Sequence, residues 1–323
     1  MKAFVTGGTG FVGSHLVDYL LSRDDTTVNC LIRSEHKWLE NKNVSPFYGG
    51  LHDIDALNKG MEGADVVFHI AAIVKASNKA AFMRTNVDGT ENILRIAQKQ
   101  GVKKVVILSS LAATGPSFSR PVSEDDPLMP VSMYGESKKA MEEMIHQTAK
   151  SDDSITILRP PAIYGEREDQ IFGVFQAASK GVFPIIGDGV STRISLVHVD
   201  DVIQGLILAE KQQSKGVNTY FISSEEFYTW KEIKNTTADV LGKKVFALKV
   251  PAGLVKKISA IIETGASVFG RYPVINREKA AELVLQWTCS VDKAKRELGY
   301  KQSVSLHDGI QKTISWYKTH NWI

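Results

Sequence analysis

From the N-terminus onward, short runs of consecutive apolar residues alternate with stretches in which apolar side chains recur every three or four positions. Residues 2–6 (KAFVT), 27–32 (TVNCLI), 65–72 (DVVFHIAA), 103–110 (KKVVILSS) and 154–160 (SITILRP) have the length and β-branched content of strands. Between the first two, Val12, Leu16, Tyr19 and Leu20 share one face of a predicted helix, and 86–100 and 132–150 read as further helices. Strands that are apolar along their whole length need cover on both faces, which right-handed strand–helix–strand crossovers provide. The pattern therefore predicts a doubly wound α/β domain, a parallel sheet with helices on both faces.

Beyond Arg159 the alternation weakens. Pro160, Pro161, Pro184 and several glycines interrupt 160–189, and a β-like run at 217–224 (VNTYFISS) is apolar enough to return to the first sheet. Helical segments dominate the remainder; one of them, within 250–270, sets Leu254, Ile258, Ile261 and Ile262 on one face. The expected division is a first domain over 1–165, rejoined by a strand near 217–223, and a smaller, mainly helical lobe over 166–323 interleaved with it.

Composition narrows the class. A chain of 323 residues has room for two domains, and 43% hydrophobic with 23% charged residues excludes a disordered or low-complexity polymer. Lys and Arg number 39 against 36 Asp and Glu with no basic run, so nucleic acid is not an expected partner. Lys256, Lys257 and Glu263 interrupt the most apolar C-terminal stretch, which argues against a membrane span. Cys30 and Cys289 lie far apart without metal-ligand spacing; neither a disulfide framework nor a metal site is expected, and a cytoplasmic setting fits. The N-terminus has no apolar stretch long enough for a secretion signal.

The first strand runs directly into Gly7-Gly8-Thr9-Gly10-Phe11-Val12-Gly13, with glycines at 7, 10 and 13. In a strand–loop–helix setting such spacing serves a dinucleotide: Gly7 for the tight turn, Gly10 for backbone approach to the pyrophosphate, Gly13 for close packing, and the helix N-terminus for the anion. This makes the first domain a Rossmann domain, with Phe11 and Val12 in the same loop. At the end of the second strand, where an acidic residue would accept from the adenosine ribose, the sequence has Leu31-Ile32-Arg33-Ser34. Arg33 suits a 2′-phosphate, so NADP is expected in preference to NAD.

Tyr134 and Lys138 stand four residues apart at the start of a helix, hence on one face. A cation beside a phenol favours the phenolate, which would make Tyr134 an acid or base near neutral pH. Ser109-Ser110 ends a strand at the carboxyl edge of the sheet, where open α/β folds place ligands, and a serine there can hold a substrate oxygen.

TGGTGFVG at 6–13, HIAA at 69–72, NVDGT at 86–90, SSLAATG at 109–115, YGESK at 134–138, RPPAIYG at 159–165 and VHVDDV at 197–202 together resemble the extended short-chain dehydrogenase/reductase family, also called the NAD-dependent epimerase/dehydratase family. The match spans nearly the whole chain, and the nearest branch is that of dihydroflavonol reductases and 3β-hydroxysteroid dehydrogenases. The resemblance implies Ser110 as the serine of the catalytic set, Tyr134 as acid/base and Lys138 at the nicotinamide ribose. It further implies Ala71 and Ala72 along the middle of the cofactor, Pro161 and Ile163 within the stretch 160–163 approaching the nicotinamide, and Asn86 as a brace near the site. Gly50 departs from the pattern, in which an acidic residue meets adenine; Leu51 and Asp53 are the available replacements. A homodimer through the helices at 86–100 and 132–150 is also implied.

A serine–tyrosine pair against a hydride acceptor supports interconversion of a secondary alcohol and a ketone. Dehydratases of the family carry acidic residues just after the serine, where this chain has Leu111 and Ala112. The expected function is an NAD(P)-dependent oxidoreductase of a small, partly apolar substrate. The alternative is a nucleotide-sugar epimerase with tightly bound NAD, suggested by G-D-G-x-x-x-R at 187–193, although one extra residue separates Arg193 from the valine–aspartate pair. A non-catalytic dinucleotide-binding sensor fits less well, because tyrosine and lysine are both present. His198 reads as a satisfied strand histidine, and Asp200 and Asp201 as caps of the following helix.

Overall fold

The computed structural model describes residues 1–251, 253 and 281–323. The six early strands are β1 (Lys2–Thr6), β2 (Thr27–Ile32), β3 (Ser45–Tyr48), β4 (Val66–His69), β5 (Lys104–Leu108) and β6 (Ser154–Arg159). The chain then leaves through β7 (Ala162–Tyr164), β8 (Val182–Ile186), β9 (Arg193–Ile194) and β10 (Leu196–His198), and returns as β11 (Gly216–Phe221). Sheet order is β11-β6-β5-β4-β1-β2-β3, parallel throughout. This is a Rossmann α/β fold. Among the described residues three two-stranded ladders lie outside it: β10 with β7, β9 with β12 (Tyr228–Thr229), and β8 with β13 (Phe246–Val250).

Two cores flank the sheet. On one face pack α1 (Phe11–Leu21), through Leu16, Val17 and Leu20, and α7 (Val199–Lys211), through Val202 and Leu206. On the other pack α2 (Ile54–Met61), α4 (Gly89–Gln100) and α5 (Met133–Thr148), through Leu57, Ile93, Leu94, Met141 and Ile145. Tyr19 is 42% exposed; Val17 takes the inward place expected of it. A third core joins α6 (Phe172–Ser179), α8 (Trp230–Leu241) and α10 (Leu306–Thr319) through Phe175, Ile233, Ile310, Ile314 and Tyr317. α9 (Asp292–Leu298) puts Ala294 into the first core, so the later sequence contributes α7 and α9 to the sheet's cover as well as a strand.

The sequence pattern missed β3. It is an edge strand, mostly exposed, and carries Pro46 opposite Cys30, a residue that sheets accept only at such an edge. The start of the helix at 86–100 also differs: α3 (Lys79–Phe82) leads into a π-helical turn at Met83–Asp88 before α4 begins. The amphipathic face at Leu254, Ile258, Ile261 and Ile262 lies outside the described residues. Among those described, no helix is long and apolar enough to cross a membrane.

The caps of α7 differ from expectation. His198, not Asp200 or Asp201, is its N-cap, Nδ1 accepting from the Asp200 amide at 3.3 Å. Asp200 accepts from Lys312 Nζ at 2.8 Å, and Asp201 accepts from the backbone of Ser303 and Val304, so the two carboxylates tie α7 to α10 and to the segment that leads into it.

A buried chain of hydrogen bonds crosses the sheet beneath the later site. Thr6 Oγ1 meets His69 Nδ1 at 2.7 Å, His69 Nε2 meets Thr90 Oγ1 at 2.8 Å, and Thr90 Oγ1 donates to the Asn86 carbonyl at 2.7 Å. Since Thr90 spends its proton on Asn86, Nε2 donates and Nδ1 accepts, a neutral ring. Burial, with the Lys138 charge nearby, pulls the His69 pKa down to about 3. The unfolded ring binds its proton near pH 6.5 and the folded ring only near 3, so between these values the unfolded state holds more protons and stability falls as pH falls. Urea unfolding at pH 7 and pH 4.5 should show a His69→Gln variant, weaker at pH 7, losing less on acidification than the wild type, by up to about 1.4 kcal/mol per pH unit. An identical acid loss in both proteins would remove His69 from the account.

Candidate active site

A cavity of about 940 Å³ follows the carboxyl edge of the sheet and continues between it and the third core. Its first wall is the turn from β1 into α1, where Gly7, Gly10, Phe11, Val12 and Gly13 all line it. Gly7 sits at φ +76°, and a Cβ there would lie 2.7 Å from the Ala71 amide nitrogen. A Cβ on Gly13 would lie 2.0 Å from the Gly7 carbonyl oxygen, so the third glycine fits the loop against itself. Gly10 is the N-cap of α1 and makes no side-chain cap, which leaves the first amides of the helix without intrahelical acceptors.

At one end the cavity is bordered by Arg33 and Lys37, both exposed, and by Gly50, Leu51 and His52. Asp53 serves elsewhere: its Oδ1 accepts from the Ala56 amide at 3.0 Å and caps α2. Of the two replacements considered for the absent acidic residue, Leu51 alone lines the cavity. His52, which sequence reasoning passed over, is held by Asn92 and the Arg84 carbonyl at 3.3 and 3.1 Å. Ala71, Ala72, Pro161 and Ile163 border the middle.

Ser110, Tyr134 and Lys138 converge at the centre. Ser110 follows β5 and caps a single 3-10 turn, Leu111–Ala113, accepting from the Ala112 amide at 3.1 Å. Ser132 caps α5 and so starts the helix that carries the other two. Gly135 lets that helix approach the Ser110 turn, since a Cβ there would come within 2.4 Å of the Ala112 carbonyl oxygen.

The electrostatics reverse one expectation. Tyr134 opens to the cavity lumen but is otherwise enclosed, and burial raises its pKa to about 12, with a Ser110 hydrogen bond opposing and the Glu282 carboxylate reinforcing. Lys138 does not depress it: its ammonium donates to the Leu108 carbonyl at 2.9 Å. Burial lowers Lys138 to about 8, opposed by Glu142. Desolvation penalises the charged form of each group, and that effect outweighs their i, i+4 spacing.

Beneath these residues lies a buried ion pair that the sequence reading did not find. Arg159 Nε donates to both oxygens of Glu142 at 3.1 and 3.0 Å, and Ser109 donates to the same carboxylate. The available signal was the Lys138–Glu142 spacing opposite an arginine at the end of an otherwise apolar strand. Asn86, in the π-helical turn, accepts from the Ile73 amide at 2.9 Å and donates to the Ile73 carbonyl and to Ser137 Oγ, both at 3.0 Å. It bridges the loop after β4 to α5.

A family model described as the NAD dependent epimerase/dehydratase family matches residues 3–235. The chain belongs to the NAD dependent epimerase/dehydratase family. As a member it is an NAD(P)-dependent enzyme of the reductase, dehydrogenase or epimerase kind. It is 30% identical to the ceramide reductase of Caulobacter vibrioides over 323 residues, 99% of this chain and 95% of that one. It is also 28% identical to the 4-hydroxy-2-methyl-3-oxo-4-farnesyl-3,4-dihydroquinoline-1-oxide ketoreductase of Stigmatella aurantiaca, covering 96% of this chain and 95% of that one. The UDP-glucose 4-epimerase structure from Thermotoga maritima superposes with a TM-score of 0.82 at 24% identity over 99% of this chain and 100% of that one, a likeness of fold.

The G-D-G segment of this family member is a turn. Asp188 accepts from the amides of Val190 and Ser191, both at 2.9 Å, and Arg193 is exposed on β9 and not among the residues that line the cavity. His198 is more than a satisfied strand histidine: its ring sits 3.4 Å from both Glu166 and Asp200, which raise its pKa against burial. Among the described residues no group of three or more His, Cys, Asp or Glu is placed to hold a metal ion.

The glycine loop yields a direct test. In a Gly13→Ala variant, the overlap of the added Cβ with the Gly7 carbonyl oxygen is expected to displace the loop and weaken dinucleotide binding about tenfold or more. The readout is the NAD(P)H-induced rise in Tm; a wild-type rise would refute the packing argument.

Proposed function

We propose that this chain is an NADP-preferring reductase that transfers hydride between the nicotinamide and a secondary alcohol or ketone, with Ser110, Tyr134 and Lys138 as its catalytic set. The carrying observation is one continuous cavity that joins the glycine loop, Arg33 and this trio. Its dimensions and lining suit the dinucleotide: Gly7, Gly10 and Gly13 with Phe11 and Val12 at the pyrophosphate, Arg33 at the 2′-phosphate, Leu51 at adenine, Ala71 and Ala72 along the middle, Pro161 and Ile163 at the nicotinamide.

When bound, the reduced cofactor supplies a hydride to the carbonyl carbon. Tyr134 delivers its proton to the carbonyl oxygen as negative charge develops there, and the Ser110 hydroxyl holds that oxygen. A phenol raised to about 12 keeps its proton at neutral pH, the state a general acid for reduction requires. Lys138, whose ammonium is held at the Leu108 carbonyl, would be the residue that meets the nicotinamide ribose.

Relatives named as a reductase and a ketoreductase support reduction over epimerisation. So does Arg193, the side chain best suited to a sugar diphosphate, which is exposed outside the cavity lining. Free, buried Cys30 and Cys289 are consistent with a reducing cytoplasm. In a homodimer through α4 and α5, half-buried Met133 would be an apolar contact, since Met141 and Ile145 belong to the core and Met144 packs against it.

Two substitutions test the reading. Tyr134→Phe should lower kcat by about 10²-fold or more while NADPH still raises Tm; wild-type turnover would end the assignment. Arg33→Asp should lower the NADPH-to-NADH ratio of kcat/KM by about 10- to 100-fold, the loss of a charge-assisted bond and the gain of repulsion. An unchanged ratio would place the cofactor preference elsewhere.

A further inference from the structure

We infer that the substrate is an amphiphile whose long apolar chain lies in the chamber between α6, α8 and α10. This rests on the proposed reductase only for which end of the molecule reacts. From Tyr134 the cavity runs past Phe82 and Leu111 and reaches Val174, Phe175, Trp230 and Ile310. Phe175 and Ile310 are 4% and 1% exposed and belong to the third core, so the cavity penetrates the lobe instead of grazing its surface. An occupant that touches both Tyr134 and this depth has to be extended.

The described lining of the chamber disfavours one class of occupant. Among the described residues that border the whole cavity, the basic side chains are Arg33, Lys37, Lys75 and Lys138. Arg33 and Lys37 lie at the end of β2, Lys75 is exposed on the loop after β4, and Lys138 donates to the Leu108 carbonyl. On the lobe side the charged lining residues are Glu168 and Glu282. Glu168 accepts from the amides of Gln170 and Ile171 at 2.6 and 2.7 Å. A diphosphate would therefore leave water for a wall that is mostly apolar among the described residues, an unfavourable transfer. An alkyl or isoprenoid chain there gains with every methylene buried.

A homologous series of 2-alkanones from four to twelve carbons tests this on the full chain loaded with NADP⁺ for binding and NADPH for turnover. Binding is read by quenching of tryptophan emission, reported by Trp230 and Trp287 at the chamber wall, and turnover by NADPH oxidation. Binding should tighten about three- to fourfold per methylene. A Val174→Asp variant, shown to be folded by its retained NADPH-induced rise in Tm, should flatten the slope to under about twofold per methylene. Binding independent of chain length, a slope unchanged in Val174→Asp, or UDP-glucose binding tighter than dodecanone would each overturn the inference. A length-dependent slope without NADPH oxidation of any ketone would support the chamber assignment and defeat the reductase reading instead.

Discussion

At the end of β6 the Arg159 guanidinium meets the Glu142 carboxylate out of contact with water, and the arrangement of the site hangs on that pair. Glu142 lies one turn beyond Lys138 on α5, and Arg159 immediately precedes the Pro160–Ile163 stretch that borders the cavity. Ser109 adds the end of β5 to the same carboxylate. One charged contact thus joins the helix carrying Tyr134 and Lys138, the strand end carrying Ser110, and the cavity wall at 160–163. Losing either partner would leave the other charged and buried, a cost of about 3–5 kcal/mol, which explains why two ionised groups persist in an otherwise apolar layer.

Close backbone approach completes the geometry that the ion pair begins. Gly7 and Gly13 fold the first turn onto itself against Ala71, and Gly135 brings α5 onto the Ser110 turn. Asn86 ties the loop after β4 to α5 through Ile73 and Ser137. The Gly7–Ala71 and Asn86–Ser137 contacts link segments more than 50 residues apart, so the residues at the centre of the cavity are held by the packing of the domain as well as by their own loops.

Burial then sets the proton chemistry. It raises the phenol and lowers the ammonium, because in each case the charged form loses its water. The same low-dielectric environment extends into the lobe, where the described lining turns mostly apolar. One cavity therefore joins the glycine loop and Arg33 at one end to a mostly apolar chamber at the other.

The strand–helix alternation, the glycine loop and the positions of Ser110, Tyr134 and Lys138 were legible in the chain because they depend on local spacing: apolar runs, a turn that requires positive φ, and two side chains one helical turn apart. β3 was not, since an exposed edge containing Pro46 lacks a buried strand's pattern. Neither was the role of Glu142, whose partner is 17 residues away on another element, nor the capping of α7 by His198. The sign of the Tyr134 shift and the apolar depth of the chamber were decided by tertiary structure alone. Both depend on which distant segments exclude water from a side chain, and sequence spacing carries no measure of that.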